Sequence, residues 1–262
     1  MNALDIKKIS LVQKIALAGL FTALACILNK VLAVNYIQAV PFVRVSFGGP
    51  AIIIFASLFL GPFYGALVGA LSDILGYFVF DMSGFPYTPW ITLTYVLLGF
   101  LPYFIFLLVK KIRNEKLMGL ISYVIMGAVF LFAALLIILN DKIVWFNSVY
   151  ELSLGLKIAL PCLMFILLIA IIVFNYLFNK HLKKNKKSDL PVSIYQISFA
   201  LFIIEILIMV IFGSFMKSIL FGLEMFPIIV LFQAMTMFFN IPFNTLVITY
   251  IMLITKRYYK GS

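Results

Sequence analysis

The chain has 262 residues, 65% of them hydrophobic and 11% charged, with twenty Lys and Arg against nine Asp and Glu. Soluble domains are about half apolar and a quarter charged, so this composition, with a mean hydropathy of +1.18, excludes a soluble globular fold and makes lipid the main solvent. In such a chain a net charge of +11 reads as cytoplasmic loops beside anionic lipid, not as a nucleic-acid surface.

Eight apolar runs follow in chain order, at about 12–34, 48–61, 62–80, 90–111, 117–139, 157–179, 192–216 and 226–255. A span needs roughly 20 apolar residues, fewer inside a bundle. The expected fold is therefore all-α, a polytopic membrane bundle of about eight helices forming one integral domain over 1–262.

The first run follows Lys7, Lys8 and Lys14. No small-residue cleavage site stands at its end, so it reads as a retained helix and not as a signal peptide. Its Ala16, Gly19 and Ala23 recur at i, i+3 and i+7 beside Ala18, Thr22 and Ala25. Such a face suits a helix–helix contact, within the bundle or with another membrane protein.

The second run is short, begins at Gly48-Gly49-Pro50, and meets the third at a tight Gly61-Pro62 hairpin. The third carries Gly61, Gly65 and Gly69 at steps of four, with Asp73 one step further. Steps of four stay near one helix face, so the pattern predicts a smooth packing seam ending in a carboxylate. Asp73 stands seven residues from the outer end of its helix, about 10 Å down. It either accepts hydrogen bonds from a ligand or pairs with a neighbouring helix; an acid on a packing face is a functional candidate.

Two loops flank this hairpin, VNYIQAVPFVRVSFGGP and DMSGFPYTPW. Pro41, Pro86 and Pro89 stiffen them, and a preorganised loop loses less entropy when a ligand docks. Tyr36, Phe42, Phe85, Tyr87 and Trp90 offer stacking faces for a flat ring, though Trp and Tyr also form interfacial belts. Arg44 is the one arginine placed on the outer side. It grips a ligand carboxylate through its planar fork, or snorkels to a lipid head group.

Further along, Cys26 and Cys162 sit in apolar runs and read as packing residues. The basic stretch KHLKKNKK at 180–187 is a solvated linker and holds the single histidine, His181. Glu205 lies mid-span and must be paired, protonated or facing a cavity. Asn240 and Asn244 flank Pro242, where they line the same cavity or bond the backbone freed by that proline.

Charge sets the topology. Lys7, Lys8, Lys14, Lys110, Lys111, Arg113, Lys116, Lys180, Lys183, Lys184, Lys186, Lys187, Lys256, Arg257 and Lys260 are fifteen; Lys30, Arg44, Lys142, Lys157 and Lys217, on the opposite ends, are five. The richer side is cytoplasmic, and eight crossings put both termini there. No G-x-x-x-x-G-K-[ST] is present, so no P-loop cradles a nucleotide. With one histidine there is no H-E-x-x-H site and no histidine triad. The expectation is a binder and not an enzyme, with no metal and no cofactor.

The run from Arg44 to Gly76, with Gly61, Pro62, Gly65, Gly69 and Asp73 in its G-P-x-x-G-x-x-x-G-x-x-x-D pattern, resembles the substrate-binding S components of energy-coupling factor (ECF) vitamin transporters, and the folate type most closely. The resemblance covers about 10–112 and, through FFNIPFNTLVITY, 190–255. It implies a membrane subunit, in a bacterial cytoplasmic membrane, that captures folate or a related vitamin from outside. Arg44, Asp73, Tyr87, Trp90, Phe85 and Asn240 would bind the substrate. The face of Ala16, Gly19 and Ala23 would dock on a transmembrane coupling subunit carried by two cytoplasmic ATPases, whose ATP cycle topples the binder. Such components usually have six helices, so about 117–180 reads as an inserted transmembrane hairpin. The alternative is an ion- or proton-coupled secondary transporter of a small organic anion, with Asp73 or Glu205 carrying the coupling charge. Such folds often show internal repeats, and the glycine seam has no second copy.

Overall fold

A computed structural model describes residues 9–31, 48–80, 87–112, 114–145, 148–184, 192–223 and 226–255. The described helices are α1 (Leu11–Cys26), α2 (Gly49–Leu60), α3 (Pro62–Phe80), α4 (Pro89–Lys110), α5 (Glu115–Leu139), α6 (Leu154–Lys184), α7 (Ile194–Ile204), α8 (Ser214–Phe221) and α9 (Phe226–Ile254). Capping explains where several begin. Ser10 with Gln13, and Ser193 with Gln196, form capping boxes that start α1 and α7, satisfying backbone N–H groups that have no helical partner. Prolines open α2 and α4, where the missing N–H costs nothing.

The result is a helical membrane bundle. Among the described residues, seven helices are long and apolar enough to cross a bilayer. A π-helical turn, Ile27–Val31, extends α1, and a π-helical segment, Glu205–Gly213, joins α7 to α8 in one rod. The remaining apolar run, the second in the chain, behaves differently from a full crossing. At 12 residues, α2 reaches about 18 Å, well short of the roughly 30 Å of hydrocarbon. Every one of its residues is buried, so it is a plug inside the bundle. The loop over 140–156 also holds structure that the apolar pattern did not suggest: β1 (Lys142–Trp145) pairs antiparallel with β2 (Ser148–Glu151).

Two apolar cores share a wall. The first joins α1, α2, α3 and α4 to α7 and the last turns of α9, through Phe21, Phe55, Val68, Leu98, Ile204 and Ile248. The second joins α5 and α6 to α7 and α9, through Met126, Ile137, Met164, Phe202 and Phe238. Half of the α7–α8 span is buried against only 11% of the α6 span, so α6 is the outer, lipid-facing member. The α5–α6 pair is fastened by Asn175, which donates to Tyr123 Oη at 3.0 Å and to Ser198 Oγ at 3.1 Å.

The glycines of α3 divide into two roles. A Cβ on Gly65 would strike the Gly99 carbonyl and the backbone of Ser57; one on Gly69 would strike the Tyr95 carbonyl. Backbone meets backbone here, which only the smallest residues permit. Gly61 is not a packing residue: open space surrounds it, and its φ of +105° is what requires glycine. It makes the α2–α3 turn.

The tight contact generates a stability prediction. Gly65→Ala should lower the melting temperature of the purified protein by the equivalent of about 1–3 kcal/mol, the usual cost of overpacking. Gly19→Ala, with nothing within 4 Å of its Cβ, should leave melting unchanged. Thermal unfolding followed by size-exclusion recovery checks both.

Candidate functional site

The α3–α4 register follows from the glycine contacts. Gly65 opposes Gly99 and Gly69 opposes Tyr95, so one turn further along α3 Asp73 must oppose the first turn of α4. There Thr92 donates from Oγ1 to Asp73 Oδ2 at 2.7 Å. Tyr87 Oη shares a second 2.7 Å hydrogen bond with Thr92 Oγ1. Asp73 and Thr92 are both buried, so this relay is shielded from competing solvent, where charge-assisted hydrogen bonds are strongest.

An aromatic group covers the relay. The Tyr87 ring lies 5.3 Å from Tyr77 and 5.6 Å from Phe78, centroid to centroid, spacings typical of favourable ring pairs. Tyr77 and Phe78 stand one turn beyond Asp73 on α3. The site is thus a carboxylate under a ring cluster, at the end of the bundle that charge assigns to the outside. It offers an acceptor for N–H or O–H groups and flat faces for stacking.

The residues singled out from sequence do not all meet here. Asp73 and Tyr87 are brought together, through Thr92. Trp90 is 48% exposed; its carbonyl accepts from Thr94 Oγ1 at 3.3 Å. Its side chain joins none of the Tyr87 ring pairs. Arg44 and Phe85, with Tyr36 and Phe42, lie outside the described residues. Asn240 belongs to a different centre, beside Glu205 and Asn244. Thr92, Tyr77 and Phe78 were not singled out from sequence. The signal that could have found Thr92 is the glycine pair itself: once Gly99 packs on Gly65, Thr92 falls level with Asp73.

The two polar centres are well separated. A Cβ on Gly213 would stand 3.4 Å from the Thr94 methyl, and Gln196 Nε2 donates to the Ile112 carbonyl at 3.3 Å. Between these two points Glu205 falls beside about residue 102 of α4, ten residues past Thr92, or about 15 Å deeper.

The face of α1 carrying Ala16, Gly19 and Ala23 is exposed. Helix α1 instead packs inward through Phe21, Thr22, Ala25 and Cys26.

The family model for the ECF transporter substrate-specific component matches residues 13–175. The chain belongs to the ECF transporter substrate-specific component family. The matched stretch is more than half of the chain and contains the whole Asp73–Thr92–Tyr87 site. It also runs through α5 and most of α6, and ends before α7. No curated protein and no solved structure gives a significant match. The protein is therefore a multi-pass substrate-specific subunit of an ECF transporter, whose family works with membrane and ATPase subunits, and the family is not one of enzymes.

Removing the relay's centre tests its role. Thr92→Val keeps the shape but removes the hydrogen bonds to Asp73 and Tyr87, and should cost about 1–3 kcal/mol of stability. Thr92→Ser should retain most of it. Melting temperatures of the two variants against wild type decide.

Proposed function

We propose that this S component captures a small vitamin of the folate class from outside the cell and delivers it through an ATP-driven ECF complex. The observation that carries this reading is the position of the Asp73–Thr92–Tyr87 site, which lies inside the family-matched region and at the outward end of α3 and α4. A planar, nitrogen-rich ring matches what the site offers: N–H groups for the Asp73 carboxylate and a ring face for Tyr87, Tyr77 and Phe78. Arg44, four residues before the Gly48 turn, would offset the vitamin's carboxylate through its bidentate fork. Phe85 and Trp90 would extend the stacking surface. Asn240, beside Glu205 and about 15 Å deeper than the relay, lies outside direct reach of the ring cluster and takes no part in this capture.

The buried plug supports the same reading. Helix α2 fills the interior on the Gly61 side and, among the described residues, no helix continues it outward. A solute entering from the Tyr87 end reaches the relay at the level where α2 begins. The face of Ala16, Gly19 and Ala23 is smooth and exposed, as a docking surface for the transmembrane coupling subunit requires. We place the α5–α6 pair, about 117–180, as a hairpin added beside the binding core; its contacts with α7 and α9, away from α2 and α3, support that placement.

Binding by the purified chain alone, followed by tryptophan fluorescence against folates and other water-soluble vitamins, tests the capture step. Tight binding of a folate without sodium or a proton gradient, weakened at least tenfold by Arg44→Ala, is expected, a factor equal to about 1.4 kcal/mol. A chain that binds none of the vitamins rules the reading out. Gly19→Leu should keep wild-type binding yet abolish uptake when the coupling subunit and ATPases are co-expressed; uptake that survives this substitution removes the α1 face from the docking surface.

A further inference from the structure

The capture site makes no use of the charged ends of α5 and α6, on the side that charge assigns to the cytoplasm. Their layout follows from the hydrogen bond between Asn175 and Tyr123. Consecutive crossings run antiparallel, and seven residues return to nearly the same helix face. Stepping seven residues toward that side carries Tyr123 to Lys116 and Asn175 to Leu182, about 10 Å along the axes. Lys116 therefore falls level with the turn that holds Lys180, Lys183 and Lys184. Glu115 is the one acid in these end turns, so four cations meet a single carboxylate.

The lysines continue the lipid-facing stripes of both helices. On α6, Ile169, Val173, Tyr176 and Leu177 are exposed, and Lys180, Lys183 and Lys184 extend the same face at helical spacing. On α5, the exposed Val124 and Leu120 lead at steps of four to Lys116, itself exposed. With 31 residues, α6 is about 46 Å long against roughly 30 Å of hydrocarbon. The surplus carries its lysines into the head-group layer, where apolar stems and ammonium heads both find their solvent. Among the described residues no ion pair occupies Lys116 or Lys180. The opposite edge of the bundle differs. The α2–α3 turn over 57–64 has no charge, and Lys14 of α1 stands over the Tyr64 ring at 5.6 Å. Positive loops alone satisfy the topology rule; lysines set in line with two apolar stripes on one side are a further feature.

We propose that the ends of α5 and α6 bind an anionic phospholipid, its head group held by Lys116, Lys180, Lys183 and Lys184. Its acyl chains lie along the exposed stripes that lead to these lysines. Charge complementarity selects the head group. Four ammonium groups beside one carboxylate suit an anionic phosphodiester, whereas a zwitterionic head group brings a cation of its own. Lysine clusters just cytoplasmic of a membrane helix recur as sites of this kind. The apolar stripes select a lipid over a soluble phosphate, because only a lipid covers both. Helices α5 and α6 pack on α7 and α9, whereas α1 packs on α2 and α3. The bound lipid thus anchors the α5–α6 side of the bundle and leaves the face of Ala16, Gly19 and Ala23 clear.

Thermal unfolding of the purified full chain in neutral detergent tests this, with phosphatidylglycerol, phosphatidylcholine of the same acyl chains, or inorganic phosphate added. Phosphatidylglycerol should raise the melting temperature by about 5 °C, saturably, as expected for a ligand bound only by the folded state. The other two should not. Lys116→Gln/Lys180→Gln should raise the phosphatidylglycerol concentration needed for half of that rise by about tenfold or more. Its melting in phosphatidylcholine should match wild type, since both side chains are exposed. Lys7→Gln/Lys8→Gln removes the same charge ahead of α1 and should leave the response intact. Native mass spectrometry should find phosphatidylglycerol retained by wild type and lost from Lys116→Gln/Lys180→Gln. Equal melting in both lipids overturns the proposal, and so does a rise produced by phosphate alone. A response weakened equally by the two double variants also overturns it, because a general surface field then replaces a site.

Discussion

The close approach of α3 to α4 and α2 is the constraint on which the rest of the molecule depends. Gly65 meets the Gly99 carbonyl and the Ser57 backbone, and Gly69 meets the Tyr95 carbonyl. In lipid no hydrophobic drive pushes helices together, so packing distance and shape decide association. Backbone contact at two successive turns leaves α3 no freedom to slide against α4. That locked register is what delivers Asp73 to Thr92, and Thr92 to Tyr87. A slip of one turn, about 5.4 Å, would break both hydrogen bonds. The binding chemistry is thus a consequence of the glycine seam and not a separate feature beside it.

The same seam explains why a short helix is tolerated inside a membrane protein. Helix α2 cannot cross the bilayer, yet all its residues are buried. It is flanked by α1, α3, α4 and α9, and a helix too short to span is permitted at membrane depth where protein surrounds it. The positive φ of Gly61 turns the chain directly into α3. Hairpin, plug and seam form one unit: the turn sets the direction, the plug fills the interior on the Gly61 side, and the seam positions the acid.

Much of this was legible in the sequence, for identifiable reasons. The bounds of α3 were readable because Gly61-Pro62 marks a turn and the apolar run ends before the acidic Asp81. Gly65 and Gly69 were readable as packing residues because small residues at steps of four have few other uses in lipid. Gly61 fitted the same spacing, but its role is conformational, and spacing cannot separate the two. Asp73 stood out as an acid in an apolar run, whereas its partner Thr92 did not, because threonines are common in membrane helices and their meaning depends on a register between distant segments. The exposure of Trp90 was equally hidden: an aromatic next to a proline looks the same whether it faces a pocket or lipid. The π-helical segment from Glu205 to Gly213 has no compositional mark at all, since EILIMVIFG is as apolar as the α-helical turns before it.

The two cores distribute different tasks over one wall. The first, around α2, holds the elements that carry the relay, and the second holds α5 and α6 against α7 and α9. Helices α7 and α9 belong to both, and along them lie Ser198, held by Asn175 from α6, and then Glu205 with Asn240 and Asn244. Apolar packing is tolerant of small rotations, whereas a buried hydrogen-bonded cluster has few satisfied arrangements. Polar groups at two levels of the shared wall therefore specify how α7 sits against α6 and α9, which packing of Leu, Ile and Phe alone would leave under-determined. Because Gly213, at the far end of the π-helical segment, stands beside Thr94 two residues from Thr92, the same wall also backs the first turn of α4. The orientation of the rod behind Thr92 and the geometry of the Asp73 relay are set by one continuous body of contacts.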